Sequence, residues 1–253
     1  MSSLYKGYTF DEGRKPVVFN VCNFPPPTED RPSLLSPTEI RTLFHELGHA
    51  LHGLLSHSKY SMLGGTSVPR DFVEFPSQLM ENWGLEPEVM QGYSAHFEHG
   101  GQIPQALLEQ LKAAMTFNQG FATTEYCAAA YLDLAWHMIE APVEDADAFE
   151  AQVMEEIGLI TEISSRYRSA YFAHIFAGGY SAGYYSYLWS AVLDKDTYQL
   201  FKETDLYNPK HSASLRSLIY ASGNTKDPMT QYTLLCGREP SAEALMIARG
   251  LTP

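Results

Sequence analysis

The sequence predicts a mainly α-helical protein with a small β element near its N-terminus. Three observations lead there. A complete helix-start signature at residues 36–39 opens an apolar helical pattern that reaches about Leu55. Beyond it, helical periodicity recurs between residues that start helices and residues that stop them. One stretch, PVVFNVCNF at residues 16–24, is β-branched, aromatic and partly alternating, as a strand requires.

The elements follow in order. After the strand comes a proline-rich link, FPPPTEDRPSLLSP. Ser36 can cap the next helix, Pro37 suits its first position, and Glu39 completes an S-x-x-E capping box. Residues 58–70, SKYSMLGGTSVPR, read as loop. A second helix is expected over 71–83, with Pro76 in its first turn or at a kink. Further helices are expected at about 86–97, 104–116, 119–140, 146–157, 164–176, 181–203, 210–222, 228–236 and 241–249. Pro104, Asp145, Pro209, Asp227 and Ser241 stand near their starts; Gly84, Gly158, Gly223 and Gly250 stand near their ends. No repeat, low-complexity tract or linker follows residue 36, so residues 1–253 read as one helical domain.

Bulk composition narrows the partners. The chain is 45% hydrophobic and can bury a core; its net charge of -13 argues against a nucleic-acid backbone or an anionic membrane surface. No apolar run is long enough to span a bilayer, and no secretory signal is visible. Cys22, Cys127 and Cys236 form no CxxC pair, so neither a zinc ribbon nor a disulfide framework is supported. Free thiols suit a reducing compartment, which makes the cytoplasm the expected location.

The chemistry concentrates in TLFHELGHALHG, residues 42–53. His45-Glu46-Leu47-Gly48-His49 is an HExxH pattern, and on a helix its two histidines share one face. They can meet one cation while Glu46, about 100° around the helix, reaches a water activated there. A third protein ligand is needed. The HExxHxxGxxH arrangement fails, because His52 and Leu55 fill its last two slots. A glutamate from the next helix is the remaining source: Glu74, with Glu81 two turns later as its rival. Asp71 suits either an N-cap or a group that orients a ligand. His52 suits a structural or outer role, since three histidines plus Glu74 would close the site. His57, His96, His99, His137 and His211 have no partner pattern. Gly48, poor in a helix interior, suggests room for a strand or a substrate backbone to cross the helix.

Near the C-terminus, AGGYSAGYYSYLW carries four tyrosines and three glycines. Gly178-Gly179 should break a helix and act as a hinge. Tyr184 and Leu188 suit a core stripe. Tyr180 and Tyr187, seven apart, share a face, and phenols aimed into a cleft can donate to a developing oxyanion.

The segments HELGHALH, GGTSVPRDFVEFPSQLMENW and FAHIFAGGYSAGYYSYLW, in that order, resemble the thimet oligopeptidase family of zinc peptidases, the M3 type. The likeness continues through NQGFATTEYCAAAYLDLAWH and RYRSAYFAHI. PRDFVEFPSQ, and the spacing of His174 from Tyr180, resemble its peptidyl-dipeptidase (dipeptidyl carboxypeptidase) branch. The resemblance implies a zincin-like catalytic domain, zinc held by His45, His49 and Glu74, and Glu46 as catalytic base. It also implies Tyr187 as an oxyanion-stabilising group, His174 as a substrate-contacting catalytic residue, and Tyr180, with Tyr184, as substrate-binding tyrosines. Short peptides would be the substrates, cut to release C-terminal dipeptides. An oligoendopeptidase of the same family is the alternative, as is a zinc- and peptide-binding fragment with little turnover. Family members are much longer, so a surface their N-terminal region covers would be bare here and favour self-association. Arg70, Arg166 and Arg168 are the candidates to hold a substrate carboxylate, and the strand at 17–23 to pair with substrate backbone.

Overall fold

The computed structural model describes residues 1–6 and 15–252. Two short antiparallel strands, β1 (Ser2–Tyr5) and β2 (Val17–Phe19), pair with Ser3 opposite Val18. The expected strand is therefore shorter than its sequence pattern, and one of its edges is taken by β1, which the sequence did not announce. Helix α1 (Pro37–Leu54) starts as expected: Ser36 accepts from the Glu39 amide, and Glu39 accepts in return from the Ser36 amide.

The expected helix at 71–83 is two helices, α2 (Arg70–Val73) and α3 (Phe75–Gly84), meeting at Glu74. Pro76 has no N–H to offer the Phe72 carbonyl four residues earlier, so a continuous helix is broken there. The Glu74 N–H takes that carbonyl instead. There follow α4 (Pro87–Tyr93), α5 (Gln105–Met115), α6 (Gln119–His137) and α7 (Ala146–Glu156), near their expected places. The helix expected at 164–176 does not form as such. It is reduced to a 3₁₀ turn (Ser169–Tyr171) and the single turn α8 (Ala173–Phe176). Helix α9 (Ser186–Thr204) begins five residues late, because Gly179 and Ala182 take left-handed backbone at φ 78° and 51°. Helix α10 (Pro209–Leu215) widens into a π-helical turn (Arg216–Tyr220); α11 (Pro228–Cys236) and α12 (Glu243–Ala248) complete the chain.

Helix α1 packs on α3, and α3 on α9, which in turn touches α2 and α12. The main core lies behind α3, where Phe75, Leu79, Ile219 and Tyr232 are all wholly buried. A smaller aromatic core joins Ala129 of α6 to Phe172, Ile175 and Tyr184. Thus α1 and α3 are fixed by one core and the tyrosine segment by the other, and the site lies where they meet.

Candidate metal centre and its cavity

Gly48 lets α1 and α3 come together. A Cβ there would lie 2.5 Å from Ser77 Cα and 2.7 Å from the Pro76 carbonyl oxygen. The close approach expected at Gly48 is real, but what crosses it is the backbone of α3 rather than a strand or a substrate. This brings Glu74, at the α2–α3 break, opposite the histidine face of α1.

Glu74 Oε2 lies 3.3 Å from His45 Nε2 and 3.2 Å from His49 Nε2. The three ligand atoms lie within 4.8 Å of one another, and the residues form a candidate metal site. Donors bound at ~2.0–2.1 Å around a tetrahedral ion stand about 3.3 Å apart, so these spacings match. Two imidazoles and a carboxylate also leave a fourth position open, the arrangement of catalytic rather than structural sites.

Glu81 stands outside this cluster. Its Oε1 lies 2.8 Å from His45 Nδ1, on the other side of the ring, while its Oε2 is held by Arg41 at 3.0 Å. A carboxylate behind a ligating imidazole fixes its orientation and raises its basicity. Burial disfavours the charged form of His45, but hydrogen bonds to Glu74 and Glu81 prevail and push its pKa up to about 9. Burial likewise works against charge on Glu74, yet hydrogen bonds from His45 and His49 hold its carboxyl well below the usual range. The cluster is thus electrostatically suited to a cation. Among the described residues Asp71 bonds neither to the α2 N-terminus nor to a candidate ligand; it accepts from the Tyr185 hydroxyl at 3.0 Å. His52 is wholly buried, and neither ring nitrogen has a partner among the described residues.

Glu46 reaches the same cavity, of about 330 Å³, where its carboxylate pairs with the Met1 ammonium group. Tyr180 and Tyr187 line the cavity opposite, their rings stacked with centroids 4.9 Å apart. The Tyr180 hydroxyl donates to Glu74 Oε1. Burial first, then the Glu74 charge, pushes the Tyr180 phenol up to about 12; burial and the hydrogen bond with Tyr180 raise Tyr187 as well. Both phenols keep their protons at neutral pH and can donate. Arg70 lies 4.6 Å over the Tyr180 ring.

A second cavity of about 460 Å³ adjoins, with Tyr187 in the wall of both. His174 lines this larger cavity, 6.4 Å from the Tyr180 and Tyr187 rings, and so does Arg166. Tyr184 is 3% exposed and packs in the aromatic core, with an edge on the same wall. Arg168 lies elsewhere, paired with Glu150 at 2.5 Å and Asp147 at 2.8 Å.

A glutamate from a broken helix completing an HExxH pair, with two phenols opposite, is a specific arrangement, and comparison with known proteins is direct. The model of Peptidase family M3 matches residues 1–251. The chain belongs to this peptidase family. It is 42% identical to a dipeptidyl carboxypeptidase of Salmonella typhimurium over 99% of the chain and 37% of that protein. The dipeptidyl carboxypeptidase of Escherichia coli is also 42% identical, over 93% of the chain and 35% of that protein. Oligopeptidase A of Salmonella typhimurium is 36% identical, over 94% of the chain and 35% of that protein. The chain therefore spans little more than a third of the length of these M3 relatives.

One buried carboxylate that bonds to the tyrosine segment was not singled out in the sequence. Asp133 is wholly buried and accepts from the amides of Ala182 and Tyr184 in the tyrosine segment. The i, i+4 pair of Asp133 and His137 was a signal that could have drawn notice.

Proposed function

We propose that this chain is the helical, metal-bearing catalytic portion of a zinc peptidase that releases dipeptides from free peptide C-termini. The observation that carries the reading is one cavity lined by His45, His49, Glu74 and Glu46 on one side and Tyr180 and Tyr187 on the other. The two-histidine, one-carboxylate donor set suits zinc, which when bound lowers the pKa of water and polarises the scissile carbonyl. Glu46 takes the proton of the attacking water and returns it to the leaving amine. Tyr187, with Tyr180 stacked on it, donates to the oxyanion of the tetrahedral intermediate. His174 and Tyr184 bound the substrate on the far side of Tyr187.

Dipeptide release needs a cation for the substrate's terminal carboxylate. Arg168 is engaged by two acids, and Arg70 sits against Tyr180. Arg70 and Arg166 each line a cavity beside a tyrosine ring with no carboxylate within ion-pair distance among the described residues; Arg166, on the larger cavity, is our choice. Relatives named dipeptidyl carboxypeptidase at 42% identity, against 36% for those named oligopeptidase A, favour this over the oligoendopeptidase alternative.

The second reading is a zinc- and peptide-binding portion with little turnover of its own. No helix among the described residues is long and apolar enough to cross a membrane. The three cysteines are free, which suits the cytoplasm. Metal analysis with cleavage of free and C-terminally amidated peptides tests the proposal. Metal uptake, cleavage of free peptides only, and loss of cleavage in Glu46→Gln are expected. Equal cleavage by Glu46→Gln would refute the mechanism; equal cleavage of amidated peptides would refute the dipeptide reading.

A further inference from the structure

The mechanism makes no use of Asp133, yet this carboxylate is wholly buried. Among the described residues no lysine or arginine pairs with it; the nearest ring nitrogen, His137 Nδ1, lies 2.9 Å from Oδ1 and 2.8 Å from the Asp133 carbonyl oxygen. Burying a carboxylate without a strong cation is expensive unless hydrogen bonds replace the lost water. Here they come from one short stretch of backbone. Oδ1 accepts from the Ala182 N–H at 2.9 Å and Oδ2 from the Tyr184 N–H at 2.8 Å.

Those amides flank the sharpest part of the tyrosine segment. Ala182 holds φ 51°, a left-handed conformation that residues with a Cβ rarely adopt. Alternate N–H groups around such a residue form a small concavity for an anion. Asp133 fills it from within the protein. Neighbouring bonds tighten the same turn: Ser181 Oγ donates to the Ile175 carbonyl at 2.6 Å, the Gly183 N–H to the Tyr180 carbonyl at 2.8 Å, and the Tyr126 hydroxyl to the Tyr184 carbonyl. Tyr180 stands two residues before Ala182, and Tyr187 three after Tyr184. The phenols facing the metal cavity therefore branch from either side of the backbone that Asp133 grips.

We propose that Asp133 is the positioning residue of the tyrosine segment. Its carboxylate holds the left-handed turn at Ala182 and thereby sets where the Tyr180 and Tyr187 hydroxyls stand relative to the metal cavity. The catalytic consequence rests on the peptidase reading above; the control of the turn does not.

The test has a structural and a kinetic arm. In the wild-type chain, NMR-detected exchange of the Ala182 and Tyr184 amides should be slower than that of Gly179, which is exposed and whose N–H has no acceptor among the described residues; equal rates overturn the proposal without any variant. In Asp133→Asn, one accepting oxygen becomes a donor facing an N–H. Exchange across 180–187 should quicken about tenfold while α1, α3 and the bound zinc per chain stay unchanged. Turnover per bound zinc should fall about tenfold with KM little changed. In a Tyr187→Phe background the same substitution should cost about threefold rather than tenfold, because only its route through Tyr180 remains. Losses that multiply in the double variant, or unchanged exchange at 182–184, overturn it. A wild type that binds zinc but cleaves nothing overturns the peptidase reading instead, and the exchange measurements alone then decide the role of Asp133.

Discussion

Gly48→Ala puts the α1–α3 junction to its most direct test. The added Cβ would sit 2.5 Å from Ser77 Cα, 2.7 Å from the Pro76 carbonyl oxygen and 3.1 Å from the Ser77 nitrogen. All three are backbone atoms, so no rotamer change relieves the clash. Ordinary contact begins near 3.4 Å, so the helices must part by most of an ångström. Overpacking of this kind costs about 3 kcal/mol when the neighbours cannot yield. Alanine returns about 1 kcal/mol through its better helix propensity. The net expectation is a loss of about 2 kcal/mol, read by denaturant unfolding of the metal-free chain. The same displacement moves Glu74 away from His45 and His49, which it meets at 3.3 and 3.2 Å. Zinc affinity, read by chelator competition, should weaken about tenfold or more. A Gly48→Ala protein with unchanged stability and unchanged zinc affinity would refute the junction as described.

Other substitutions separate the remaining roles. Glu81→Gln removes the carboxylate behind His45 and should weaken zinc binding about 10–100-fold without abolishing it, read by the same competition; an unchanged affinity would deny Glu81 its orienting role. Arg166→Gln should raise KM for free peptides about tenfold and leave amidated ones untouched, and an unaltered ratio of the two kcat/KM values would exclude Arg166 as the carboxylate anchor. His52 carries an acid liability: burial first, then the neighbouring His49 charge, lowers its pKa to about 3 in the folded chain. Below pH 6.5 the unfolded chain takes a proton that the folded chain refuses. Stability is therefore complete above that pH and should fall by about 2 kcal/mol between pH 7 and 5 from this group. His52→Leu should flatten that part of the profile, as read by urea midpoints, and a slope identical to wild type would clear His52.

The parts of the site that lie within one turn of each other were legible in the sequence. The capping box at Ser36 and Glu39 formed, and it sets the start of the helix on which His45, Glu46 and His49 lie. The broken helices were harder to read. Hydrophobic periodicity carried straight through Glu74 and through 164–176, because it reports which residues face the core and not whether the backbone between them is continuous. Pro76 announced a disturbance without saying that Glu74 would be the joint. At the tyrosine segment the glycine pair announced a hinge, but a left-handed alanine held by a distant carboxylate has no local signature.

Glu74 and Glu81 show why such information is not in the spacing. Seven residues apart, they belong to one face of an ideal helix, and so they read as rivals for one ion. The break puts Glu74 outside the helix that carries Glu81, and Gly48 lets that helix lie directly against α1. The two carboxylates then reach the same imidazole from opposite nitrogens, Glu74 at Nε2 and Glu81 at Nδ1. Each role requires the other. With Glu81 fixing one nitrogen, the other is presented to the cavity that Glu74 shares with His49, Glu46 and the two tyrosines. A proline without an amide hydrogen and a glycine without a side chain thus turn two equivalent acids into a candidate ligand and its support.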